Sequence, residues 1–334
     1  VGRAGGVGDT GDAGALTAGG SVELAVIERG GVIESRHLGA AAVVDASGRI
    51  LRSVGDVHAT VWPRSTLKPL QTLAVLGTGA RFADDELVLA TASHCGSPAH
   101  LAVVERMLAA DGRDASALQC PAQWPLGARE RAERRAAGLG PARITMNCSG
   151  KHAGFLRASD ALGADAASYL SPEHPLQRRI VETIEAWTGE PVRATSVDGC
   201  GAPLHATSLA ALARGIARVA SGETADAARL MHAVAAQPWA IDGPGRANTL
   251  AIERLGVIAK IGAEGLVVIG HPSGAAVAVK VLDGSMRATT PVALALLVAE
   301  GLIEASAADA VLGATVEPVL GGDEVVGRLH VTVH

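Results

Sequence analysis

Ser65 and Lys68 stand three positions apart in the run Pro63-Arg64-Ser65-Thr66-Leu67-Lys68-Pro69. A hydroxyl is a poor nucleophile until a neighbouring base removes its proton, and an amine is such a base only when neutral. A free lysine titrates near ~10.4, so desolvation or a second positive charge must lower that value. The plain alternative is an N-cap serine followed by a solvated lysine, because this spacing is common by accident.

Four further groups could do chemistry. Ser93-His94-Cys95-Gly96-Ser97-Pro98 follows an apolar run and precedes an amphipathic helix, so it occupies a connection, where functional residues concentrate. Cys148 and Lys151, with Cys200 some way downstream, offer two soft thiols and an amine for a metal such as zinc, with His152 and His205 as alternative ligands. Two half-buried thiols near helix starts are the competing reading. Asp198 suits either a turn or a substrate ammonium. Lys260 ends a predicted strand, where it could clamp a carboxylate, lower a neighbouring amine's pKa or simply protect an edge.

The elements that must position these groups are legible in outline. Proline is tolerated only in a first helical turn, so Pro69 starts a helix near Thr66, with Ser65 at or near its N-cap. Leu67, Leu70, Leu73 and Leu76 make its apolar stripe, and Gly77-Thr78-Gly79 ends it. Short strands are expected over 22–28, 41–45 and 49–54, with a hairpin turn at Asp45-Ala46-Ser47-Gly48. Helices are expected over 98–110, 128–138, 172–188, 208–219, 225–236 and 291–304, and 84–92 reads as a helix or buried segment. Strands follow over 257–260, 266–269 and 275–281, and a last one over 328–333. Glycines on both sides of Cys200 point to backbone that other residues resist.

Length and composition bound the function. The chain has 334 residues, of which 48% are hydrophobic and only 2% aromatic, so a sizeable core must be packed from Ala, Val and Leu. A net charge of −5 argues against a nucleic-acid partner. No apolar run approaches the ~20 residues that span a bilayer, and no basic-then-hydrophobic start is present, so no membrane association and a cytoplasmic location are expected. The four cysteines, with no C-x-x-C, read as thiols or metal ligands. Residues 1–20 read as a disordered extension and 21–334 as one catalytic domain.

In order along the chain, Arg64-Ser65-Thr66-Leu67-Lys68-Pro69, Ser93-His94, Asn147-Cys148-Ser149-Gly150-Lys151-His152, Asp198-Gly199-Cys200-Gly201-Ala202-Pro203 and Lys260-Ile261-Gly262-Ala263-Glu264-Gly265 resemble the rhizobial-type, thermolabile L-asparaginases of the asparaginase II family. The resemblance implies an α/β fold of the α+β type, an antiparallel sheet flanked by helices, similar to the serine β-lactamases and penicillin-binding proteins. It also implies hydrolysis of L-asparagine to L-aspartate and ammonia by a homodimer. Ser65 would be the nucleophile with Lys68 as base, Ser93 and Lys260 a second Ser-Lys pair, and Cys148, Lys151 and Cys200 the zinc ligands, with Arg64, His94 and Asp198 at the substrate. Two departures from the family pattern bear on substrate preference: Ser97 where an acidic residue is usual, and Asn248 in Arg246-Ala247-Asn248-Thr249 where an aspartate is usual. Ser97 also competes with Ser93 as the second serine. A β-lactamase or D-peptidase, or a catalytically silent zinc-stabilised scaffold, are the alternative functions.

Overall fold

A computed structural model describes residues 14–333 of the chain. Among the described residues eleven strands are formed: β1 Val22–Arg29, β2 Val32–Val44, β3 Ile50–Val54, β4 Thr60–Val61, β5 Ala194–Val197, β6 Pro203–Ser208, β7 Ile258–Gly262, β8 Leu266–Gly270, β9 Ala276–Val281, β10 Val319–Gly321 and β11 Glu324–Val331. The helices are α1 Lys68–Leu76, α2 Asp84–Thr91, α3 Pro98–Ala110, α4 Ala128–Ala136, α5 Ser149–Ala161, α6 Pro175–Thr188, α7 Leu209–Ala220, α8 Ala225–Ala236, α9 Ala247–Leu255, α10 Thr289–Ala299 and α11 Ala305–Thr315.

The main sheet is antiparallel, in the order β10-β11-β1-β2-β9-β8-β7 with β3 on β2; β4, β6 and β5 form a small second sheet. The fold is therefore mixed α/β with an antiparallel sheet flanked by helices, as expected. Central strands β8 and β9 are buried almost throughout, so they read as continuous Val, Ala and Ile runs without alternation. α7 and α10 lie against them, and Gly270 is one reason α7 can: a Cβ there would come within 2.7 Å of the Ala220 methyl. α1 packs against α2, α5, α6, α7 and α8, which buries Leu67, Leu70 and Leu73 and leaves Leu76 half-buried.

Several expectations need correcting. The extension expected over residues 1–20 falls for residues 1–13 outside the described residues. From Gly14 on, however, the chain runs against β4: Ala15 bridges Thr60, and the Gly14 and Gly20 carbonyls accept the amides of Thr60 and Asp56. β2 begins at Val32 because its polar first half, Glu34 to His37, still pairs with β1. α9, α11 and β6 carry no strong period and are found only in the structure. α4 buries none of its residues, as its arginine-rich sequence suggests.

Candidate active site

Ser65 does not cap α1. It sits in a 3-10 turn, Arg64–Leu67, and its carbonyl accepts the Lys68 amide while Leu67 takes the N-cap place. The cause is Arg64, whose φ of 52° puts it in the left-handed region that non-glycine residues rarely adopt, so the chain turns before the helix proper begins. The turn lies close against the end of β7. A Cβ on Gly262 would come within 2.8 Å of the Pro63 carbonyl, so only glycine lets the strand and the Ser65 turn approach this closely.

Lys68 is 1% exposed and reaches away from its own helix. Its Nζ donates to Ser93 Oγ at 2.9 Å, to Cys148 Sγ at 3.1 Å and to the Ala92 carbonyl. Lys260, fully buried on β7, donates to the same Ser93 Oγ at 2.8 Å and to the Ile261 carbonyl at 2.7 Å. Burial, and after it the charge of Lys68, pushes Lys260 down to about 7. One serine thus receives two lysines. Among the described residues no side-chain hydrogen bond joins Ser65 to Lys68; the two meet only through the backbone bond of the turn.

The loop after α2 that holds Ser93 is fixed by its backbone. Ser93, His94 and Cys95 donate to the carbonyls of Ile241 (3.0 Å), Asn147 (3.1 Å) and Asp242 (2.6 Å). Ser97 instead caps α3 and bonds His100 Nδ1 at 2.7 Å, so Ser93 is the serine that meets Lys260. His94 is fully buried, bonded through Nε2 to Ser149 Oγ at 2.9 Å and stacked on His100; it does not line the cavity described below.

Cys148, Lys151 and Cys200 come together, because Gly150 lets α5 approach α2 to where a Cβ would be 2.5 Å from the Leu89 carbonyl. Lys151 Nζ lies 3.0 Å from Cys200 Sγ, and Cys200 Sγ lies 3.6 Å from Asp198 Oδ2. The hydrogen bond between the two thiols lowers Cys200 and raises Cys148. Burial opposes a charged Lys151, but the Cys200 and Cys148 sulfurs outweigh it and the net shift is upward. Among the described residues no three His, Cys, Asp or Glu side chains form a metal-holding group. The two sulfurs and the amine do make a three-donor set that fits a soft divalent ion, provided the ion displaces the Lys151 proton. His152 and His205 are engaged elsewhere, with Tyr169 Oη at 2.7 Å and Thr195 Oγ1 at 3.1 Å. The Cys200 turn needs its glycine at Gly201, where φ is 88°.

A cavity of ≈ 390 Å³ joins these parts: Ser65, Ser93, Cys148, Cys200, Arg64 and Asp198 line it, with Gln123, Asn147, Arg246 and Met286. Arg64 Nε bonds Asp198 Oδ1 at 2.6 Å. Asp198 is held below the usual carboxylate range, burial being outweighed by the charges of Lys151 and Arg64. A neighbouring space of ≈ 430 Å³ shares Arg64 but is not lined by Ser65, Ser93, Cys148 or Cys200, so the chemistry belongs to the smaller cavity. Sequence reasoning missed the Lys68–Cys148 contact, which ties the lysine network to the thiols, and the part played by Arg246. The Gly243-Pro244-Gly245 turn before Arg246 was the available signal.

The site can therefore pass a proton from a cavity hydroxyl through buried amines, beside a paired carboxylate. Solved structures similar to this chain include Mglu in its glutamate form (16% identity, TM-score 0.44, covering 79% of this chain and 61% of that one). A β-lactamase, Mb2281c, from Mycobacterium bovis is similar at 18% identity and TM-score 0.42, covering 82% of this chain and 94% of that one. EstCE1, a hydrolase with promiscuous acyltransferase activity, is similar at 12% identity and TM-score 0.38, covering 73% and 88%. No curated protein matches the chain. The family model for L-asparaginase II matches residues 25–331, a span that runs from β1 to the end of β11 and holds every group of the cavity; the chain belongs to the L-asparaginase II family.

Proposed function

We propose that the protein hydrolyses the side-chain carboxamide of L-asparagine, releasing ammonia and L-aspartate. The observation that carries this reading is the Ser93 hydroxyl held by Lys68 at 2.9 Å and Lys260 at 2.8 Å on the wall of the cavity that Ser65 also lines. Ser65 attacks the carboxamide carbon and its proton passes to the Lys68–Ser93–Lys260 chain. The tetrahedral oxyanion collapses, the same chain returns the proton to the leaving nitrogen, and ammonia departs. Water then adds to the β-aspartyl ester, breaks the acyl–oxygen bond and restores the Ser65 hydroxyl. Lys260, poised near 7 by burial and by Lys68, is the member that can be neutral at working pH. Asp198 receives the substrate ammonium.

Zinc held by Cys148, Lys151 and Cys200 belongs to the same proposal, supported by the convergence of those donors beside the cavity. Bound there, it would supply positive charge that orients a polar substrate group. A homodimer rests on the family resemblance alone; no helix among the described residues is long and apolar enough to cross a membrane.

The test is ammonia release from L-asparagine by the purified protein and by Ser65→Ala, with nitrocefin as the competing substrate. Release that vanishes in Ser65→Ala supports the reading. Nitrocefin turnover without asparagine turnover favours the β-lactamase alternative, and inactivity on both favours a silent scaffold.

A further inference from the structure

We propose that Arg246 is the specificity residue for the substrate's α-carboxylate, so that the cavity selects free α-amino acids over amides blocked at that carboxyl; the inference rests on the asparagine reading above. Three charged side chains line the cavity: Arg64, Asp198 and Arg246. Arg64 and Asp198 meet at 2.6 Å and both face the cavity, so a ligand meets them as a nearly neutral pair. Arg246 differs. Its countercharge, Asp242, bonds Nε from behind, is only 5% exposed and does not line the cavity. The two terminal nitrogens of Arg246 make no hydrogen bond among the described residues, and the side chain is 38% exposed.

The cavity therefore carries one forked cation whose countercharge, Asp242, lies outside its wall and whose two terminal nitrogens are free, a shape that matches a carboxylate. Lys68 and Lys260 cannot take this part, because both are committed to Ser93. On its other side Arg246 borders a second groove that holds Glu130, Glu133 and Arg129, the last two paired at 2.7 Å and none of the three lining the Ser65 cavity. With the ammonium on Asp198 and the carboxylate on Arg246, two charged handles orient one small zwitterion over the serine.

The experiment compares kinetics of wild type, Arg246→Lys and Arg246→Met on L-asparagine and on L-asparagine methyl ester, reading ammonia. L-Aspartate binding is measured in parallel by calorimetry. Losing a charge-assisted, two-pronged contact is expected to raise KM for L-asparagine and Kd for L-aspartate about 100-fold. kcat should fall far less than KM rises, and kcat/KM for the methyl ester should fall much less than that for L-asparagine. Arg246→Lys should recover part of the affinity. Because Arg246→Met strands the buried Asp242, the paired variant Asp242→Asn/Arg246→Met is assayed beside it and should behave alike. Equal losses on both substrates, or an unchanged Kd for L-aspartate, overturn the proposal. Wild type that binds L-aspartate through Arg246 yet releases no ammonia would instead remove the amidohydrolase reading and leave Arg246 as a carboxylate receptor.

Discussion

Lys68 and Lys260, one at the start of α1 and the other on β7, direct their ammonium nitrogens at the same atom, Ser93 Oγ, from 2.9 and 2.8 Å. Two cations do not share one hydroxyl in a dry interior without consequence. Burial, and after it the charge of Lys68, pushes Lys260 down to about 7, so Lys260 is held part of the time as the free amine.

The acid limb of the pH profile follows. With Lys260 at about 7, the amine is protonated below that value and cannot accept a proton, so kcat/KM for L-asparagine should fall as pH drops through about 7. Rates measured from pH 5 to 9 check this. A limb near the usual lysine value would mean that Lys260 stays charged.

Lys260 should also oppose stability. Its folded pKa lies below its unfolded one, so between about 7 and 10.5 the unfolded chain binds more protons. Its penalty is absent above the unfolded value, grows as pH falls towards the folded value and is constant below it, on the order of a few kcal/mol. Lys260→Met should therefore abolish activity yet leave Tm at pH 7 unchanged or a few degrees higher. A steep fall in Tm would show the lysine to be a structural ion.

Arg64 supports a prediction about backbone. Its φ of 52° suits glycine, so Arg64→Gly should be about 1 kcal/mol more stable than Arg64→Ala in urea unfolding. Both should bind L-aspartate more weakly, since each leaves Asp198 without its 2.6 Å partner. Equal stability of the two variants would show the turn to be unstrained.

Metal analysis tests the thiol cluster. One equivalent of zinc is expected in the purified protein, and Cys200→Ser should lose it, with KM raised more than kcat is lowered. Zinc retained in both Cys200→Ser and Cys148→Ser would place the ion elsewhere.

Much of the site is legible in the sequence because its signals are local. Ser65 and Lys68 lie within one turn, Gly201 marks a left-handed turn, and β8 and β9 read as buried apolar runs. What could not be read depends on chain folding at a distance. That Lys68 leaves Ser65's side for Ser93 and Cys148 is set by how α1, α2 and α5 pack, which Gly150 controls through a backbone approach with no sequence period. Ser65 misses its expected cap because the strained Arg64 inserts a 3-10 turn. α9 follows a Gly-Pro-Gly turn and has Asn248 and Thr249, poor helix formers carried by tertiary burial, directly after its first residue Ala247. His94 looks available in the sequence, yet its ring is buried beneath the loop that presents Ser93.

The mechanism turns on which oxygen becomes acylated. Wild-type protein mixed with L-asparagine, quenched in acid within the first turnover and digested for mass analysis, should carry a β-aspartyl ester on the peptide containing Ser65, and Ser65→Ala should carry none. An ester on the Ser93 peptide, or turnover with no ester on either serine, would contradict it.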